Sequence, residues 1–465
     1  MTRGALMQPL ARPLTFFKAY DIRGRLDEDL TDPNAERVGR AFAEGLGARR
    51  VVLARDVRPS SRGLSQAVAR GLMAAGAEVL DLGLAGTEEM YFAVSHLGAD
   101  GGICVTASHN PIEYNGMKMV GAGSAPLGAE SGLAEIKALA ERGDFADARG
   151  GGRVVDSSGT RSDYVECVAG FASAASLKPL KILVNAGNGA AGPTFDALAG
   201  RLRANGVPWD FVRLHHAPDG TFPNGIPNPM LEENQPATAA MVRQAGADMG
   251  VAWDGDFDRC FFFDHEGTFI PGEYVVSLLA EAFLEKEPGA TIVQEPRVIW
   301  CTRDVVERAG GRVVLSKCGH TNIKRVLRAE GAVYGGEMSA HHYFRDFFHC
   351  DSGMIPWLLV GELMGRRGAT LKDLVAGRRA AFPSSGEINF RVPDAEAAMA
   401  RVEKDYGSRA LERDDVDGLS LSFGDWRFNL RMSNTEPLLR LNVEAKDSPE
   451  RVRTAVAALR ALIEK

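Results

Sequence analysis

The sequence is poor in the features that mark secreted or membrane proteins. Its six cysteines are scattered, without a CxxC pair of the kind that binds zinc. No apolar run approaches the roughly 18 residues of a membrane span, and the longest candidate is interrupted by Pro356 and Glu362. The N-terminal segment lacks the continuous apolar core and the cleavage site of a signal peptide. These gaps predict a soluble cytoplasmic chain with reduced thiols and no membrane partner.

The sequence also lacks an excess of positive charge. Its net charge is −7, so we expect no general attraction to nucleic acid or to an anionic membrane. An anionic ligand would need a local basic pocket instead. Short repeats and low-complexity tracts are missing as well. At 465 residues the chain is too long for one ordinary hydrophobic core, which predicts several domains.

Short apolar, strand-like runs alternate with Ala- and Leu-rich helical patterns through most of the chain. Residues 51–53 precede a helical pattern at 64–75, and residues 181–184 precede one at 193–202. This alternation predicts α/β domains with largely parallel sheets. It is interrupted at three places, which we interpret as boundaries: residues 141–153, 264–267 and 377–385.

The composition changes after the third boundary. Residues 387–392 and 419–430 are predicted to be strands, with a helix at 395–406 between them and a final helix at 449–464. The C-terminal segment is therefore predicted to be a smaller α+β domain.

Four apolar runs each end in a loop rich in polar residues. Ligands of α/β sheets bind at the carboxyl ends of strands, so four such loops favour one shared cleft over ordinary surface turns. The runs and their loops are Ile103–Pro111, Val251–Arg259, Val333–His342 and Trp426–Pro437.

The second loop has the clearest chemistry. Asp254, Asp256 and Asp258 alternate with Gly255 and Phe257. Three carboxylates this close repel one another, and a hard divalent cation such as Mg²⁺ would compensate them. The glycine and glutamate positions of an EF-hand are not matched, which excludes that reading. The adjacent Arg259 suits either a phosphate or a salt bridge to one of these aspartates.

The first loop presents Ser108 between Thr106, His109 and Asn110. A hydroxyl among polar groups at the end of a strand is a candidate nucleophile or phosphoacceptor. No GxSxG motif surrounds it, which disfavours a serine hydrolase. Lys118, downstream, could supply charge or transfer a proton, although a single lysine is more often a surface residue.

The other two loops suit a sugar and a phosphate. Glu337, Ser339 and His341 alternate, so on an extended segment they would share one face and could bind hydroxyl groups. Structural histidines explain His341 and His342 equally well. The fourth loop offers a set of phosphate-binding donors, or else an exposed turn before a strand. Its donors are Arg431, Ser433, Asn434 and Thr435.

A glycine pattern at residues 187–192 matches GxGxxG after a predicted strand. A dinucleotide fold would need an acidic residue at the end of the next strand, but that run ends in His215 and His216. We therefore interpret the pattern as a tight turn between a strand and a helix.

Together the motifs resemble the α-D-phosphohexomutase superfamily, and in particular its bacterial phosphomannomutase and phosphomannomutase/phosphoglucomutase branch. The resemblance runs from about residue 17 to the C-terminus. The segments that carry it are Tyr20-Asp-Ile-Arg-Gly24, Thr106-Ala-Ser-His-Asn-Pro111, Asp254-Gly-Asp-Phe-Asp-Arg259, Gly336-Glu-Met-Ser-Ala-His341 and Arg431-Met-Ser-Asn-Thr-Glu-Pro437.

The resemblance implies four domains around a central cleft, three α/β domains with mixed sheets and a C-terminal α+β domain. With the breaks described above, the predicted domains are residues 1–156, 157–267, 268–377 and 378–465. They would carry, in that order, the phosphoserine loop, the metal-binding loop, the sugar-binding loop and the phosphate-binding loop.

The resemblance also implies residue roles. Ser108 matches the phosphoserine, and with Asp254, Asp256 and Asp258 it would hold one Mg²⁺. The groups matched around the phosphoserine are Tyr20, Arg23, His109, Lys118 and Arg259. Those matched to substrate binding are Lys317, His320, Glu337, Ser339, His341, Arg431, Ser433, Asn434 and Thr435, with His341 also counted as catalytic. Cys318 stands where relatives carry Thr or Ser, and we expect only local repacking there.

The implied activity is that of an isomerase, a phosphohexomutase that interconverts hexose 6-phosphate and hexose 1-phosphate. Phospho-Ser108 would donate its phosphoryl group, form a hexose 1,6-bisphosphate and recover the other phosphate. Mannose phosphates are the expected substrates, with glucose phosphates as a second pair. We expect a monomer or homodimer that binds no nucleic acid.

Two other functions are compatible with parts of the sequence. A DxDx-type sugar phosphatase would use Asp254 as its nucleophile, and a nucleotide- or sugar-binding module would use residues 187–192. Each leaves most of the motifs unexplained.

Overall fold

The computed structural model describes residues 9–10, 12–128, 131–147, 150–173, 177–432 and 438–465. These residues form two compact units. The first contains the described chain up to Phe269 together with Asp346–Arg366, and the second contains Ile270–Arg345 together with the chain from Arg367 onward.

The first unit begins with a mixed six-stranded sheet in the order β1-β5-β4-β2-β3-β6. Strands β2, β3, β4 and β6 run parallel, whereas β5 is antiparallel to both β4 and β1. The elements are β1 (Ile22–Arg25), α1 (Asp32–Leu46), β2 (Arg50–Arg55), α2 (Pro59–Ala74), β3 (Glu78–Leu84), α3 (Thr87–His96), β4 (Gly101–Val105), β5 (Tyr114–Gly121), α4 (Leu133–Arg142) and β6 (Arg153–Asp156).

Local sequence explains how α1 and α2 form and pack. The Thr31 side chain accepts a hydrogen bond from the Asn34 N–H and caps α1, which ends at Gly47 in the left-handed conformation (φ 62°). Gly71 lets the helices meet closely, because a Cβ there would lie 1.9 Å from the Glu36 carbonyl oxygen. This helix pair covers an apolar core that includes Val38, Phe42 and Leu72.

A second mixed sheet completes the first unit, in the order β11-β10-β9-β7-β8. Strand β7 is parallel to β8 and β9, and β10 runs antiparallel to β9. The elements are α5 (Thr160–Ala169), β7 (Leu180–Asn185), α6 (Ala191–Ala204), β8 (Trp209–Leu214), α7 (Pro236–Ala245), β9 (Met249–Trp253), β10 (Cys260–Asp264) and β11 (Phe269–Ile270).

The second unit contains a third mixed sheet with strand order β13-β12-β14-β15. Its β12 is parallel to β13 and β14, whereas β15 is antiparallel to β14. Its elements up to this point are α8 (Gly272–Lys286), β12 (Thr291–Gln294), α9 (Trp300–Arg308), β13 (Arg312–Leu315), α10 (His320–Glu330), β14 (Tyr334–Gly336) and β15 (His342–Phe344). The chain then returns to the first unit with β16 (Cys350–Asp351) and α11 (Ile355–Arg367). Helix α12 (Leu371–Ala381) follows in the second unit.

The C-terminal part of the second unit is an antiparallel sheet in the order β17-β21-β20-β19-β18. Its two helices share a core with Phe428, Leu441 and Leu459. The elements are β17 (Ser384–Phe390), α13 (Ala395–Tyr406), β18 (Glu412–Asp414), β19 (Leu419–Ser422), β20 (Trp426–Met432), β21 (Leu439–Ala445) and α14 (Pro449–Ile463).

The predicted fold class is confirmed: three mixed α/β sheets are followed by an α+β segment. Helix α12 continues to Ala381, into the predicted break at 377–385. The four predicted domain boundaries stay predictions. Within the described parts of the chain, no helix has both the length and the apolar character needed to cross a membrane.

The four predicted loops share a connectivity that the sequence analysis did not foresee. Each joins two strands that pair antiparallel: β4 to β5, β9 to β10, β14 to β15 and β20 to β21. They are hairpin connections rather than turns from a strand into a helix, so both ends of each loop are fixed in a hydrogen-bonded ladder.

Candidate active site

The Ser108 loop is held in an unusual backbone shape. Ser108 has a φ of 48°, a left-handed conformation that a residue with a side chain seldom adopts. Its N–H donates to Thr106 Oγ1 at 2.9 Å. The buried Arg58 guanidinium donates to the carbonyl oxygens of Ser108, Pro111 and Tyr114 at 2.9, 2.9 and 3.1 Å. One arginine therefore binds two carbonyl groups of the loop and one at the start of the strand that follows.

The Ser108 hydroxyl is fully buried and faces two acceptors. Its Oγ lies 2.6 Å from Asp254 Oδ2 and 2.9 Å from His109 Nδ1. Arg259 Nη2 donates to the same His109 nitrogen at 2.9 Å, which makes that nitrogen an acceptor. The single serine proton therefore has a carboxylate and an imidazole within reach, as a phosphoacceptor requires.

The three aspartates are buried at the connection from β9 to β10. Phe257 has a φ of 49°, which turns the chain sharply between Asp256 and Asp258. Gly255 brings this loop against the serine loop, because a Cβ there would lie 2.4 Å from the Ser108 carbonyl oxygen. Close contact between the two hairpins therefore depends on a missing side chain.

Two side chains, one on a strand of the first sheet and one at the start of a helix, hold the aspartates. Lys118, on β5, donates from Nζ to Asp256 Oδ2 at 2.8 Å and also to Asp258 Oδ2. Thr87, the first residue of α3, donates from Oγ1 to Asp256 Oδ2 at 2.6 Å. The predicted association of Lys118 with this site is therefore observed as direct contact, and Thr87 is an addition that the sequence analysis missed.

Burial dominates the electrostatics of these groups. It raises the pKa of Asp254 to about 7, against the opposing effect of Arg259. Burial also disfavours the charged form of Asp256, but Lys118 and Thr87 outweigh it and lower that pKa. The pKa of His109 falls well below its usual value, first through burial and then through the charge of Arg259. His109 is therefore neutral.

The aspartates fit a divalent cation. One carboxylate oxygen from each lies within 4.8 Å of the others. Among the described residues, Oδ1 of Asp254 and Oδ1 of Asp256 are buried and find no hydrogen-bond donor. A buried anionic oxygen without a donor is costly, and coordination to a hard cation would remove that cost.

The remaining residues predicted around the serine are Arg259, Arg23 and Tyr20. Arg259 forms an ion pair with Asp254 at 3.3 Å, so the alternative of a salt bridge is what the structure shows. Arg23 pairs with Asp21 at 2.9 Å and also donates to Asn110 in the serine loop. Tyr20 is partly exposed two residues before β1.

In the second unit, the predicted extended row of Glu337, Ser339 and His341 is wrong. The segment is a tight turn between β14 and β15, closed by a hydrogen bond from the Glu337 N–H to the His341 carbonyl and reversed at Ala340 (φ 70°). The turn still gathers the three side chains. His341 Nδ1 lies 3.2 Å from Ser339 Oγ and 3.4 Å from Glu337 Oε2.

Arg431 belongs to a partly buried cluster of charges that the sequence did not reveal. Its Nη2 lies 3.3 Å from Glu387 Oε2, and Arg440 Nη1 lies 3.2 Å from Glu387 Oε1. Arg297 joins the same carboxylate at 3.1 Å and also contacts Glu295 at 3.0 Å. Ser433, Asn434 and Thr435, which were predicted beside Arg431, lie outside the described residues.

The predicted segment 317–320 leads into α10. Lys317 is exposed, and His320 is the first residue of the helix. Cys318 is buried, its Sγ 3.8 Å from Glu295 Oε2, and the Gly319 N–H donates to Glu337 Oε1 at 2.9 Å. The segment is thus tied to the turn that carries Glu337.

The glycine pattern at 187–192 forms the predicted turn from β7 into α6. Its glycines serve close packing, because a Cβ on Gly192 would lie 2.1 Å from the His216 carbonyl oxygen and one on Gly189 would lie 2.8 Å from that of Gly255. These contacts explain the pattern without a nucleotide.

Several residues missed by the sequence analysis share one signal. Asp56 and Arg58 follow β2, Thr87 follows β3, and Glu295 and Arg297 follow β12. Each set comes just after the carboxyl end of a parallel strand, where the rule applied to the four loops would have found it.

Comparison with known proteins agrees with this geometry. The four domain descriptions of the phosphoglucomutase/phosphomannomutase family match the chain in order. Domains I, II and III, described as alpha/beta/alpha, match residues 15–147, 162–267 and 271–382, and the C-terminal domain matches residues 387–462.

The chain is 56% identical over 454 residues to a phosphomannomutase of Salmonella typhimurium, which covers 96% of this chain and 99% of the relative. It is 54% identical to a protein of Xanthomonas campestris named "Phosphohexose mutases", over 93% of this chain and 95% of the relative. A crystal structure of a phosphoglucomutase/phosphomannomutase family protein from Burkholderia thailandensis superimposes with a TM-score of 0.85 at 33% identity and covers 96% of each chain. None of these matches favours the sugar phosphatase. The chain therefore belongs to the phosphoglucomutase/phosphomannomutase family and is an isomerase of carbohydrate metabolism that interconverts hexose phosphates.

Proposed function

We propose that the enzyme interconverts mannose 6-phosphate and mannose 1-phosphate, and the corresponding glucose phosphates, through a phosphoryl group carried on Ser108. The observation that carries the proposal is the hydrogen bond of 2.6 Å from Ser108 Oγ to Asp254 Oδ2. It sets a buried hydroxyl directly against one carboxylate of the cluster of three. Phosphomannomutase is the printed name of relatives at 51–56% identity, which supports mannose phosphates as substrates.

In the first half of the reaction, the bond between phosphorus and Ser108 Oγ breaks while phosphorus bonds to the free hydroxyl oxygen of a hexose monophosphate. The sugar hydroxyl loses its proton, and the serine oxygen gains one. The product is hexose 1,6-bisphosphate, which also acts as the activator. After reorientation, its other phosphoryl group passes to Ser108 Oγ with the reverse proton movement, and the phosphoenzyme is restored.

Asp254, Asp256, Asp258 and the phosphate on Ser108 would hold one Mg²⁺ per chain. The ion would neutralise charge on the transferring phosphoryl group, which is what phosphoryl transfer chiefly requires. Lys118 orients two of the aspartates and balances their charge. Arg259 does the same for Asp254 while it holds His109 beside Ser108 Oγ. Arg23, anchored on Asp21, is a further cation for the phosphate.

The second unit supplies the groups proposed to hold the substrate. Glu337, Ser339 and His341 would bind sugar hydroxyl groups, and His341 is proposed to assist proton transfer. Arg431, Ser433, Asn434 and Thr435 would bind the phosphate that is not reacting. Lys317, His320 and Tyr20 complete the proposed contacts with the substrate. A cytoplasmic monomer or homodimer without nucleic-acid or membrane partners belongs to the same proposal and rests on the sequence.

Replacement of the serine tests the mechanism directly. We expect Ser108→Ala to lose turnover over several orders of magnitude, because the group that accepts the phosphoryl is gone. Mass spectrometry of the wild type after incubation with hexose 1,6-bisphosphate should show one added phosphoryl group on the peptide containing Ser108, and the variant should show none. Full activity in Ser108→Ala would exclude the mechanism.

A coupled assay with mannose 1-phosphate and glucose 1-phosphate, each with and without the bisphosphate, tests the substrates. We expect isomerisation that the bisphosphate stimulates. Steady release of inorganic phosphate without isomerisation would support the phosphatase instead.

A further inference from the structure

Arg297 lies at the centre of three glutamates in the second unit, of which Glu295 and Glu337 are buried and Glu387 is partly buried. It is 3% exposed and follows the carboxyl end of β12. Each of its three side-chain nitrogens faces a different carboxylate. Nε lies 3.0 Å from Glu295, Nη1 lies 3.1 Å from Glu387 and Nη2 lies 3.9 Å from Glu337.

Two of these glutamates lead to the groups proposed to hold the substrate. Glu337 belongs to the hairpin turn proposed to bind sugar hydroxyls, and its other oxygen is held by the Tyr343 hydroxyl at 2.6 Å. Glu387 contacts Arg431, proposed to bind the non-reacting phosphate, at 3.3 Å. Arg297 therefore stands one contact from the sugar-binding carboxylate and two contacts from the phosphate-binding arginine.

Glu295 makes the centre of this arrangement rigid. Its two oxygens accept hydrogen bonds from the backbone N–H groups of Met338, at 3.0 Å, and of Arg297 itself, at 2.7 Å. Met338 directly follows Glu337, so the same carboxylate anchors both the arginine and the hairpin turn. A planar guanidinium with fixed donor directions is suited to such a site, whereas a lysine ammonium is a point charge that could not face all three carboxylates.

We infer that Arg297 is a positioning residue that couples recognition of the sugar to recognition of the non-reacting phosphate. It pairs directly with the Glu337 carboxylate, at 3.9 Å, and it is linked to Arg431 through Glu387. The inference rests on the proposed substrate-binding roles of Glu337 and Arg431. A shift of Arg431 toward a bound phosphate then changes the position of the Glu337 carboxylate. The two ends of the substrate are therefore not bound independently.

Binding in the Ser108→Ala background tests this inference without chemistry. Calorimetric titration with mannose 1-phosphate should show that Arg297→Lys raises the Kd about tenfold or more, because one positive charge remains but the fork that holds two carboxylates is lost. The matched control is Arg378→Lys. The Arg378 guanidinium bonds Ser277 Oγ at 3.2 Å and pairs with Glu281, in the same unit. We expect the control to leave the Kd unchanged.

The background separates failure of this inference from failure of the proposed reaction. If Ser108 were not the phosphoacceptor, the titration would still report how Arg297 affects binding. In the enzyme with its serine intact, Arg297→Lys should raise KM more than it lowers kcat. An unchanged Kd and KM, in a variant that unfolds at the wild-type temperature, would overturn the positioning role.

A double-mutant cycle tests the coupling itself. Arg297→Lys and Arg431→Lys should have non-additive effects on binding of mannose 1-phosphate, because both act on Glu387. Effects that simply multiply would overturn the coupling. If Arg297→Lys folds poorly, Arg297→Gln, which leaves the Glu295 carboxylate and its two backbone hydrogen bonds in place, replaces it in both experiments, with the same expected loss of affinity.

Discussion

The charged centres of the two units differ in their balance of charge. In the first unit, the ion pairs described above set Lys118 and Arg259 against three aspartates. In the second, they set Arg297, Arg431 and Arg440 against three glutamates. An excess of buried carboxylate calls for a cation, whereas a balanced cluster can persist without one. The first centre is therefore suited to a metal ion, whereas the charges of the second centre are balanced by one another.

The two centres also differ in how the chain builds them. The aspartates occupy alternate positions of one short loop, and a single sharp turn at Phe257 brings them together. The residues of the second centre come from both sheets of the second unit, with Glu295 after β12 and Arg431 on β20. A perturbation of one residue should therefore be local in the first centre and distributed in the second.

Removal of one aspartate should have the largest effect. We expect Asp256→Asn to lower the rate and to move the magnesium titration to higher concentrations by more than the roughly 10–100-fold typical of residues that only support a ligand. Asp264→Asn is the matched control, because that buried carboxylate accepts backbone N–H groups from Glu266 and Thr268 at 2.9 Å, as an amide oxygen also can. Activity after chelation should recover with Mg²⁺ in the control. An unaltered titration in Asp256→Asn would argue against the aspartates as ligands.

A methyl group added at the junction of the Ser108 and Asp256 hairpins should have the second-largest effect. Gly255→Ala would place a Cβ 2.4 Å from the Ser108 carbonyl oxygen, so the loops must separate. We expect a loss of about 1–3 kcal/mol in stability and a larger proportional loss of activity. Gly200→Ala, on α6 where a Cβ meets nothing within 4 Å among the described residues, should instead stabilise by about 0.5–1 kcal/mol. Chemical denaturation and activity assays of the two variants make the comparison. Wild-type activity in Gly255→Ala would show that the close approach is dispensable.

Loss of a supporting hydroxyl should have a smaller effect on the metal centre. Thr87→Val removes the donor to Asp256 Oδ2 while it keeps the shape of the side chain. We expect magnesium affinity to fall by about 10–100-fold. Thr194→Val removes a similar buried bond, from Thr194 Oγ1 to Glu89 at 2.6 Å, away from the aspartates. Its magnesium titration should match the wild type, and equal shifts in both variants would contradict a specific role for Thr87.

The distributed centre should respond least to a single small change. Tyr343→Phe removes one donor to Glu337, which keeps the Gly319 N–H and Arg297 as neighbours. We expect KM for mannose 1-phosphate to rise about three- to tenfold with little change in kcat. Tyr334→Phe, which removes a buried hydroxyl 2.7 Å from His342, is the control and should leave KM alone. A change in kcat with a constant KM would place Tyr343 in the chemical step instead.

The sequence could predict the first centre because its information is local. Asp254, Asp256 and Asp258 lie within five residues of sequence, and Ser108 lies in a loop whose other residues are also polar. The helix predicted at 395–406 coincides with α13, since its apolar spacing and the Asp394 cap are also local signals. The alternation of strands and helices was sufficient for the fold class for the same reason.

The sequence could not predict contacts between distant segments. Arg58 supports the Ser108 carbonyl group from 50 residues away, and Arg297 meets Glu387 across 90 residues. The residues next to either arginine in the sequence do not indicate its partner. The row of Glu337, Ser339 and His341 failed differently, because one residue with positive φ, Ala340, converts an extended pattern into a turn.

The hydrogen bond from Ser108 to Asp254 spans 146 residues of chain, and this separation has a consequence for biosynthesis. At about 5–20 residues per second, a ribosome needs roughly 7–30 s to extend the chain from the serine to the aspartate. Ser108 and Lys118 are therefore synthesised before the carboxylates that would complete the metal site. On the proposed mechanism, each new molecule leaves the ribosome with Ser108 unphosphorylated, and a sugar bisphosphate must phosphorylate it afterwards.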